Sequence, residues 1–100
     1  MKKRFNTKVI HSGHGTDKET GGVMPPIHLS TTFKQNEPGE FKYEYARTKN
    51  PSRDVLEKLL AELESGEQAF AFASGMAAIN TVCDIFGSDY HIICSDDVYG

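Results

Sequence analysis

One stretch of the chain carries apolar residues at every third or fourth position, which is the spacing of one face of an α-helix. Asn50 and Pro51 precede it: an asparagine side chain can accept the free N–H groups of a first turn, and proline suits the first helical position, where no N–H is needed. Gly66 is expected to end the helix, and Asp54 and Lys58 are expected to pair across one turn. The sequence therefore predicts an amphipathic helix whose apolar face consists of Val55, Leu56, Leu59, Leu60 and Leu63.

Shorter apolar runs follow this helix. Residues 69–73, Ala-Phe-Ala-Phe-Ala, are apolar on both faces, as in a strand that is covered on both sides. A turn at residues 74–75 leads into a second helix, from about Met76 to Phe86, and residues 91–94 predict a second buried strand. Strand, helix and strand form a right-handed parallel crossover. Because two strands do not make a stable sheet, we expect an α/β fold, a mostly parallel sheet with flanking helices, that is incomplete in this chain.

Residues 1 to about 44 show little periodicity, and their glycines and prolines preclude a long helix. Only Ile27–Phe33 resembles a short strand. A compact domain rarely contains so long an irregular segment. Spaced apolar residues favour an arm lying on another surface over disorder; they are Val9, Ile10, Val23, Ile27, Leu29 and Phe33. We therefore divide the chain into an N-terminal arm, residues 1–48, and the beginning of a larger domain, residues 49–100.

The composition allows a packed core, with 38% hydrophobic and 25% charged residues. A net charge of −3 argues against a general nucleic-acid binder, which needs a basic surface. No apolar run approaches the roughly 20 residues that cross a bilayer, and the basic start of the chain is not followed by the apolar stretch of a signal peptide. We expect a cytoplasmic protein without a metal site, in which Cys83 and Cys94 are buried free thiols.

The turn before the second helix is a place where an anion could bind. The backbone N–H groups of Gly75 and Met76 would point outward with the helix dipole behind them, and glycine lets a phosphate approach the backbone. The spacing is neither that of the dinucleotide-binding glycine motif nor that of the Walker phosphate loop. The alternative is a plain strand-to-helix turn in which Ser74 caps the helix.

Three side chains before the first helix suit the same kind of ligand. Tyr43, Tyr45 and Arg47 alternate, so in an extended segment they would face the same way. A phenol and a guanidinium can clamp a phosphate, because arginine donates in a bidentate fork; the alternative is an exposed polar edge strand. Tyr99 follows the second predicted strand, and open parallel sheets bind ligands beyond the carboxyl ends of their strands. An ordinary loop tyrosine is the alternative there.

Taken in order, these motifs closely resemble the opening of the transsulfuration enzymes, pyridoxal-phosphate enzymes that include cystathionine gamma-lyase, cystathionine gamma-synthase and methionine gamma-lyase. The resemblance runs from about residue 8 to the last residue. The motifs that carry it are Pro25-Pro26-Ile27, Ser30-Thr31-Thr32-Phe33, Tyr45-Ala46-Arg47, Asn50-Pro51, Ser74-Gly75-Met76-Ala77-Ala78 and Asp96-Asp97-Val98-Tyr99-Gly100. The family usually has Ser at the position of Ala46 and Thr at that of Ser52, and both departures are conservative.

The resemblance implies a cofactor, a site and an assembly. Family members have the type-I fold of pyridoxal-phosphate enzymes and are usually tetramers of two dimers, with an N-terminal arm that reaches the neighbouring subunit. By this similarity Tyr45 and Arg47 bind the cofactor phosphate of the partner subunit, and Tyr45 also lies against the substrate. Gly75 and Met76 hold the phosphate of their own subunit. Tyr99 stacks on the pyridine ring and handles protons of the substrate.

The resemblance also implies a reaction. The expected activity is that of a carbon–sulfur lyase that cleaves cystathionine by gamma-elimination. Cystathionine gamma-synthase, acting on an activated homoserine ester, and methionine gamma-lyase are alternatives, as is a non-catalytic interaction fragment. Glu44 is expected at the mouth of the site, where it would attract the far ammonium group of cystathionine. This 100-residue piece is predicted to be inactive alone, because the family's cofactor-bearing lysine is matched by none of Lys34, Lys42, Lys49 and Lys58.

Overall fold

Three helices, joined by long irregular segments, make up the regular structure of residues 4–99, the part of the chain that this computed structural model describes. Helix α1 spans Phe5–His11, α2 spans Pro51–Leu63 and α3 spans Gly75–Asp84. The start of the predicted arm, residues 1–3, and the last residue of the final motif, Gly100, lie outside the described part. None of the helices in residues 4–99 has the length and apolar character needed to cross a bilayer.

Helix α2 begins as its sequence predicts. The Asn50 side chain accepts the N–H of Ser52 at 2.8 Å and that of Arg53 at 3.4 Å, and Pro51 occupies the first turn. These bonds satisfy two of the four N–H groups that a helix start leaves without partners. An asparagine cap of this kind is worth about 1 kcal/mol, so it fixes where the chain leaves the arm and enters the helix.

The end and the ion pair of α2 differ from the prediction. Ser65, with a φ of 57°, takes the left-handed conformation expected of Gly66, and the Gly66 N–H donates to the Ala61 carbonyl at 2.9 Å. This is the bond of a Schellman motif, in which the donor follows the left-handed residue, so the helix ends one residue earlier than a left-handed Gly66 would place its end. Within residues 4–99 Lys58 forms no ion pair with Asp54, because the Asp54 carboxylate already faces the Tyr43 hydroxyl and the Lys49 ammonium.

Helix α1 was not predicted, since two turns carry too few apolar positions for a periodic signal. It packs on α2: the Lys8 Nζ donates to the Glu62 carbonyl at 3.0 Å. The turn after α1 approaches α2 even more closely. A Cβ at Gly13, whose φ is +80°, would lie 2.5 Å from the Val55 carbonyl oxygen and 2.9 Å from the Leu59 nitrogen. Only a glycine allows this contact, so the first part of the arm rests on the chain's own α2.

The rest of the arm is irregular, but backbone hydrogen bonds join its middle to the stretch before α2. Phe33 N–H donates to the Glu44 carbonyl at 3.0 Å, and Ala46 N–H donates to the Thr31 carbonyl at 2.8 Å. The predicted strand Ile27–Phe33 is thereby reduced to one antiparallel bridge, at Thr32. These bonds bring the stretch before α2 back alongside the middle of the arm.

The two predicted strands, residues 69–73 and 91–94, do not form within residues 4–99. A strand exists only when a neighbour pairs with its backbone, and here the Ala71 N–H donates instead to the Glu57 carboxylate at 3.0 Å. The apolar side chains are open, with Phe70 69% and Ile93 97% exposed. Cys83 and Cys94, expected to be buried, are exposed for the same reason, while remaining free thiols.

Candidate functional site

Arg47 and Tyr45 lie together just before α2. The guanidinium carbon of Arg47 is 4.9 Å from the centroid of the Tyr45 ring, within the range of a cation–π contact. The alternation predicted an extended segment through Arg47, and this is wrong. The Thr48 and Lys49 N–H groups both donate to the Tyr45 carbonyl at 3.0 Å and close a turn. The turn, rather than an extended register, brings phenol and guanidinium side by side. Within residues 4–99 the Arg47 side chain forms no hydrogen bond or ion pair, so its five donors are free.

Tyr43 has a different role from these two residues. Its hydroxyl donates to the Asp54 carboxylate at 3.0 Å, and its ring packs against Phe33 with the centroids 5.5 Å apart. Burial and the bond to the carboxylate raise the pKa of Tyr43 above its ordinary value of 10.0. Tyr43 therefore fixes the arm to α2 and is not part of the clamp.

Arg53, on the first turn of α2, donates hydrogen bonds to the turn that contains Arg47 and Thr48. Its Nη2 donates to the Thr48 carbonyl at 2.6 Å and its Nη1 to the Arg47 carbonyl at 3.3 Å. Its Nε lies 3.5 Å from an oxygen of Glu57, one turn further along the helix. Sequence reasoning missed this pair, although opposite charges four residues apart on one helix are a recognisable signal.

At the start of α3, Ser74 caps the helix, as in the plain-turn alternative, and two backbone N–H groups stay unbonded within residues 4–99. The Ser74 hydroxyl accepts the Ala77 N–H at 3.1 Å, and the Ser74 carbonyl accepts the Ala78 N–H at 3.2 Å. Within residues 4–99 the remaining two N–H groups of the first turn, on Gly75 and Met76, have no acceptor. Apart from the glycine, its two chain neighbours and the adjoining backbone of α3, no atom of residues 4–99 lies within 4 Å of the place where a Gly75 Cβ would stand. The helix therefore presents two free donors at an open surface, which fits a phosphate.

The other predicted site residues are far less engaged. Tyr99 is 84% exposed. Glu44 is exposed and is fixed through its carbonyl, which accepts the Phe33 N–H. A groove of about 670 Å³ separates α2 from residues 67–72, and Arg53 and Glu57 line it. Neither the clamp residues Tyr45 and Arg47 nor the α3 donors border this groove, so it does not unite the two candidate phosphate-binding elements.

Comparison with known proteins places these features in a family. A family model described as "Cys/Met metabolism PLP-dependent enzyme" matches residues 6–100. The chain is 55% identical, over 96% of its length, to a cystathionine beta-lyase of Lactococcus lactis subsp. cremoris, and 50% identical, over its whole length, to a cystathionine gamma-lyase of Bacillus subtilis. It spans about a quarter of the length of these relatives, 26% of each.

Crystal structures of cystathionine gamma-lyases also superpose on this chain. A crystal structure of a cystathionine gamma-lyase from Micromonospora echinospora superposes on 98% of this chain, and on 26% of its own, with a TM-score of 0.85 and 40% identity. The cystathionine gamma-lyase of Lactobacillus plantarum, crystallised with L-serine, superposes on 84% of the chain, and on 22% of its own, with a TM-score of 0.77 and 49% identity. The helices and the turns between them are thus arranged as in the corresponding quarter of much longer chains.

Proposed function

The chain belongs to the family of pyridoxal-phosphate-dependent enzymes of cysteine and methionine metabolism, and we propose on that premise that the whole protein is a carbon–sulfur lyase that cleaves cystathionine. The proposal includes the type-I fold, in which residues 69–73 and 91–94 become strands of the central sheet. The relatives named as cystathionine lyases, at 50% and 55% identity, support the substrate. The observation in this chain that carries the proposal is the unengaged Arg47 guanidinium held against the Tyr45 ring.

Two elements of the chain fit the phosphate of pyridoxal phosphate. Gly75 and Met76 offer free N–H groups at the positive end of α3, and Arg47 with Tyr45 offers a charged fork and a phenol. The clamp and the α3 donors do not share the groove beside α2. This separation supports a division of labour in which Gly75 and Met76 serve their own subunit while Tyr45 and Arg47 reach the cofactor of a neighbour.

That division of labour requires an oligomer, and the proposed assembly is a tetramer built from two dimers. The arm would contribute to the dimer contact with its exposed apolar residues beyond α1, of which Val23, Ile27 and Leu29 are each more than 70% exposed. The proposed location is the cytoplasm, a reducing compartment that suits the free thiols of Cys83 and Cys94.

The chemistry divides between cofactor and chain. When bound, pyridoxal phosphate supplies the electron sink that makes the alpha proton of the amino acid removable. Tyr99 is proposed to stack on the pyridine ring and to move a substrate proton through its hydroxyl; its 84% exposure leaves it free to do so. Glu44, exposed beside the clamp, is proposed to attract the distant ammonium group of cystathionine.

A second candidate reaction concerns which carbon–sulfur bond breaks. Sequence reasoning favoured gamma-elimination and did not consider beta-cleavage, because the motifs that carry the resemblance serve the cofactor, which both reactions share. The 55% identity to the lactococcal cystathionine beta-lyase supports beta-cleavage, and the 50% identity to the Bacillus gamma-lyase supports gamma-cleavage.

Product analysis of the whole protein tests the proposal. With cystathionine and pyridoxal phosphate, gamma-cleavage releases cysteine, 2-oxobutyrate and ammonia, whereas beta-cleavage releases homocysteine, pyruvate and ammonia. Either keto acid, formed in step with ammonia, supports a cystathionine lyase and identifies the bond. Cystathionine made from cysteine and an activated homoserine ester, without any keto acid from cystathionine, would instead identify a synthase. Cofactor binding without any of these reactions would contradict the proposal.

A further inference from the structure

The side chain of Arg53 connects the turn before α2 with the helix itself. Toward the arm it donates to the carbonyls of Arg47 and Thr48, at 3.3 and 2.6 Å. Toward α2 its Nε faces the Glu57 carboxylate at 3.5 Å. All three nitrogens of the guanidinium are therefore engaged, and each points at a different partner.

Glu57 continues the connection to the far side of the groove. Its Oε1 atom, which faces Arg53, also accepts the N–H of Ala71 at 3.0 Å. Ala71 lies in the segment that leads directly into the start of α3, where the free N–H groups of Gly75 and Met76 stand. A series of polar contacts thus runs from the turn that carries Arg47, through Arg53 and Glu57, to the segment that carries Gly75.

The side chains of Arg53 and Glu57 are both partly shielded from water. The Arg53 side chain is 32% exposed and the Glu57 side chain 21%, so their interaction is screened less than that of a fully exposed pair. The backbone of α2 fixes both residues one turn apart. Arg53 and Glu57 therefore form a partly shielded pair on one helix, which connects the turn before α2 with the segment after it.

We infer that Arg53 is a positioning residue for the cofactor phosphate: it holds the turn through which Arg47 reaches the phosphate, and with Glu57 it sets that turn relative to the start of α3. The inference rests on the proposed function. Lysine cannot replace arginine here, because a single ammonium group cannot point at two carbonyls and a carboxylate in three fixed directions. The expected consequence is on the affinity for pyridoxal phosphate, with kcat at saturating cofactor largely retained.

The test uses the whole protein and measures the Kd of pyridoxal phosphate by absorbance or fluorescence titration of the cofactor-free form. Arg53→Ala is expected to raise this Kd about tenfold, which corresponds to the loss of one charge-assisted hydrogen bond. If Arg53 acts through Arg47, the double variant Arg47→Ala/Arg53→Ala binds no more weakly than Arg47→Ala alone. Glu57→Gln, which keeps an acceptor for Ala71 but removes the charge, is expected to cause a smaller loss.

Lys58→Ala is the matched control, since Lys58 is an exposed cation on the same helix without a hydrogen bond or ion pair within residues 4–99. It should leave the Kd unchanged. A purely structural role of Arg53 would lower the melting temperature of the cofactor-free protein without changing the Kd, or would add its full loss to that of Arg47→Ala. Either result overturns the inference. If Arg53→Ala does not fold, Arg53→Lys is judged by the same criteria.

The two levels of the hypothesis fail in different ways. If Arg47→Ala itself leaves the Kd of pyridoxal phosphate unchanged, the proposed phosphate clamp is wrong. If Arg47→Ala weakens binding and neither Arg53→Ala nor Arg53→Lys does, the clamp stands and only the role of Arg53 is wrong.

Discussion

The guanidinium of Arg47 lies over the ring of Tyr45, 4.9 Å from its centroid, with no competing anion among residues 4–99. The ring holds the cation in place while leaving its donors available. A phosphate that arrives there meets a side chain whose position is already restricted, so less rotamer entropy is lost on binding. The proposed phosphate clamp is thus preorganised by a neighbouring aromatic residue rather than by an ion pair that would have to break.

Arg47→Ala in the whole protein is expected to weaken pyridoxal-phosphate binding about tenfold to a hundredfold, as hydrogen bonds to charged groups are worth about 1.5–3 kcal/mol. Tyr45→Phe keeps the ring under Arg47 and removes only a neutral donor, so its loss should be smaller. Titration of the cofactor-free protein gives both values. Equal losses in the two variants would show that the phenol contributes as much as the guanidinium, which would contradict this prediction.

Mixed dimers test whether the clamp serves a neighbouring subunit. An Arg47→Ala subunit is paired with one that lacks the cofactor-bearing lysine. If the clamp acts across the interface, one site combines the intact lysine with the intact Arg47 of the partner, and the other site lacks both. A substantial share of the wild-type rate should then be recovered, whereas activity that nearly vanishes would mean that Arg47 serves its own subunit.

Gly13→Ala is expected to destabilise the packing of α1 on α2. The added Cβ would lie 2.5 Å from the Val55 carbonyl oxygen, in a backbone conformation with a φ of +80° that disfavours any side chain. Left-handed strain alone costs about 1–3 kcal/mol, and the clash adds to it. Gly15→Ala is the control, since no atom of residues 4–99, apart from Gly15 and its two chain neighbours, lies within 4 Å of the corresponding position. Denaturant unfolding of the two variants should separate them, and equal midpoints would contradict the close contact.

Glu44→Gln is expected to lower kcat/KM for cystathionine a few-fold, as a partly solvated ion pair contributes about 0.2–1 kcal/mol. Methionine lacks the second ammonium group, so any cleavage of methionine should be unchanged. The ratio of the two kcat/KM values cancels losses of folding or cofactor. Glu40→Gln, which removes another exposed carboxylate of the arm, serves as the control. A common decrease for both substrates would show that Glu44 does not determine specificity.

Tyr43 gives the protein a dependence on alkaline pH. Because its folded-state pKa is raised above 10.0, the phenol stays protonated in the folded protein after it has ionised in the unfolded chain. Its contribution to stability is complete below the ordinary pKa and is lost as the pH rises through the raised one. Tyr43→Phe should therefore flatten the decline of the unfolding free energy above about pH 10. An unchanged slope would show that Tyr43 does not titrate differently in the two states.

The structural features that the sequence predicted correctly depend on contacts between residues close together in the sequence. Asn50 caps α2 and Ser74 caps α3 because each bonds to N–H groups two or three residues away. The order of the motifs also predicted the family, which the match over residues 6–100 confirms. Which reaction follows, and which residues touch the substrate, are still predictions.

What the sequence could not predict depends on partners distant along the chain. Residues 69–73 have the apolar pattern of a buried strand, but pattern alone does not provide the neighbouring strand that must pair with it. Helix α1 is stabilised by its contact with α2, not by its own periodicity. The contacts of Arg53 could not be predicted, because a long side chain can reach several acceptors. Its actual acceptor, the Thr48 carbonyl, is placed by the turn before α2.

The bond between Glu57 and Ala71 also bears on self-association. An open run such as Ala-Phe-Ala-Phe-Ala, with Phe70 69% exposed, is the kind of segment on which foreign strands add and aggregates begin. Each added strand needs the free N–H groups of the run, and Glu57 already occupies the one at its centre with a charged side chain. The carboxylate proposed to support the phosphate clamp thereby also acts as a gatekeeper, since a charged side chain at the centre of an apolar run discourages the addition of a foreign strand.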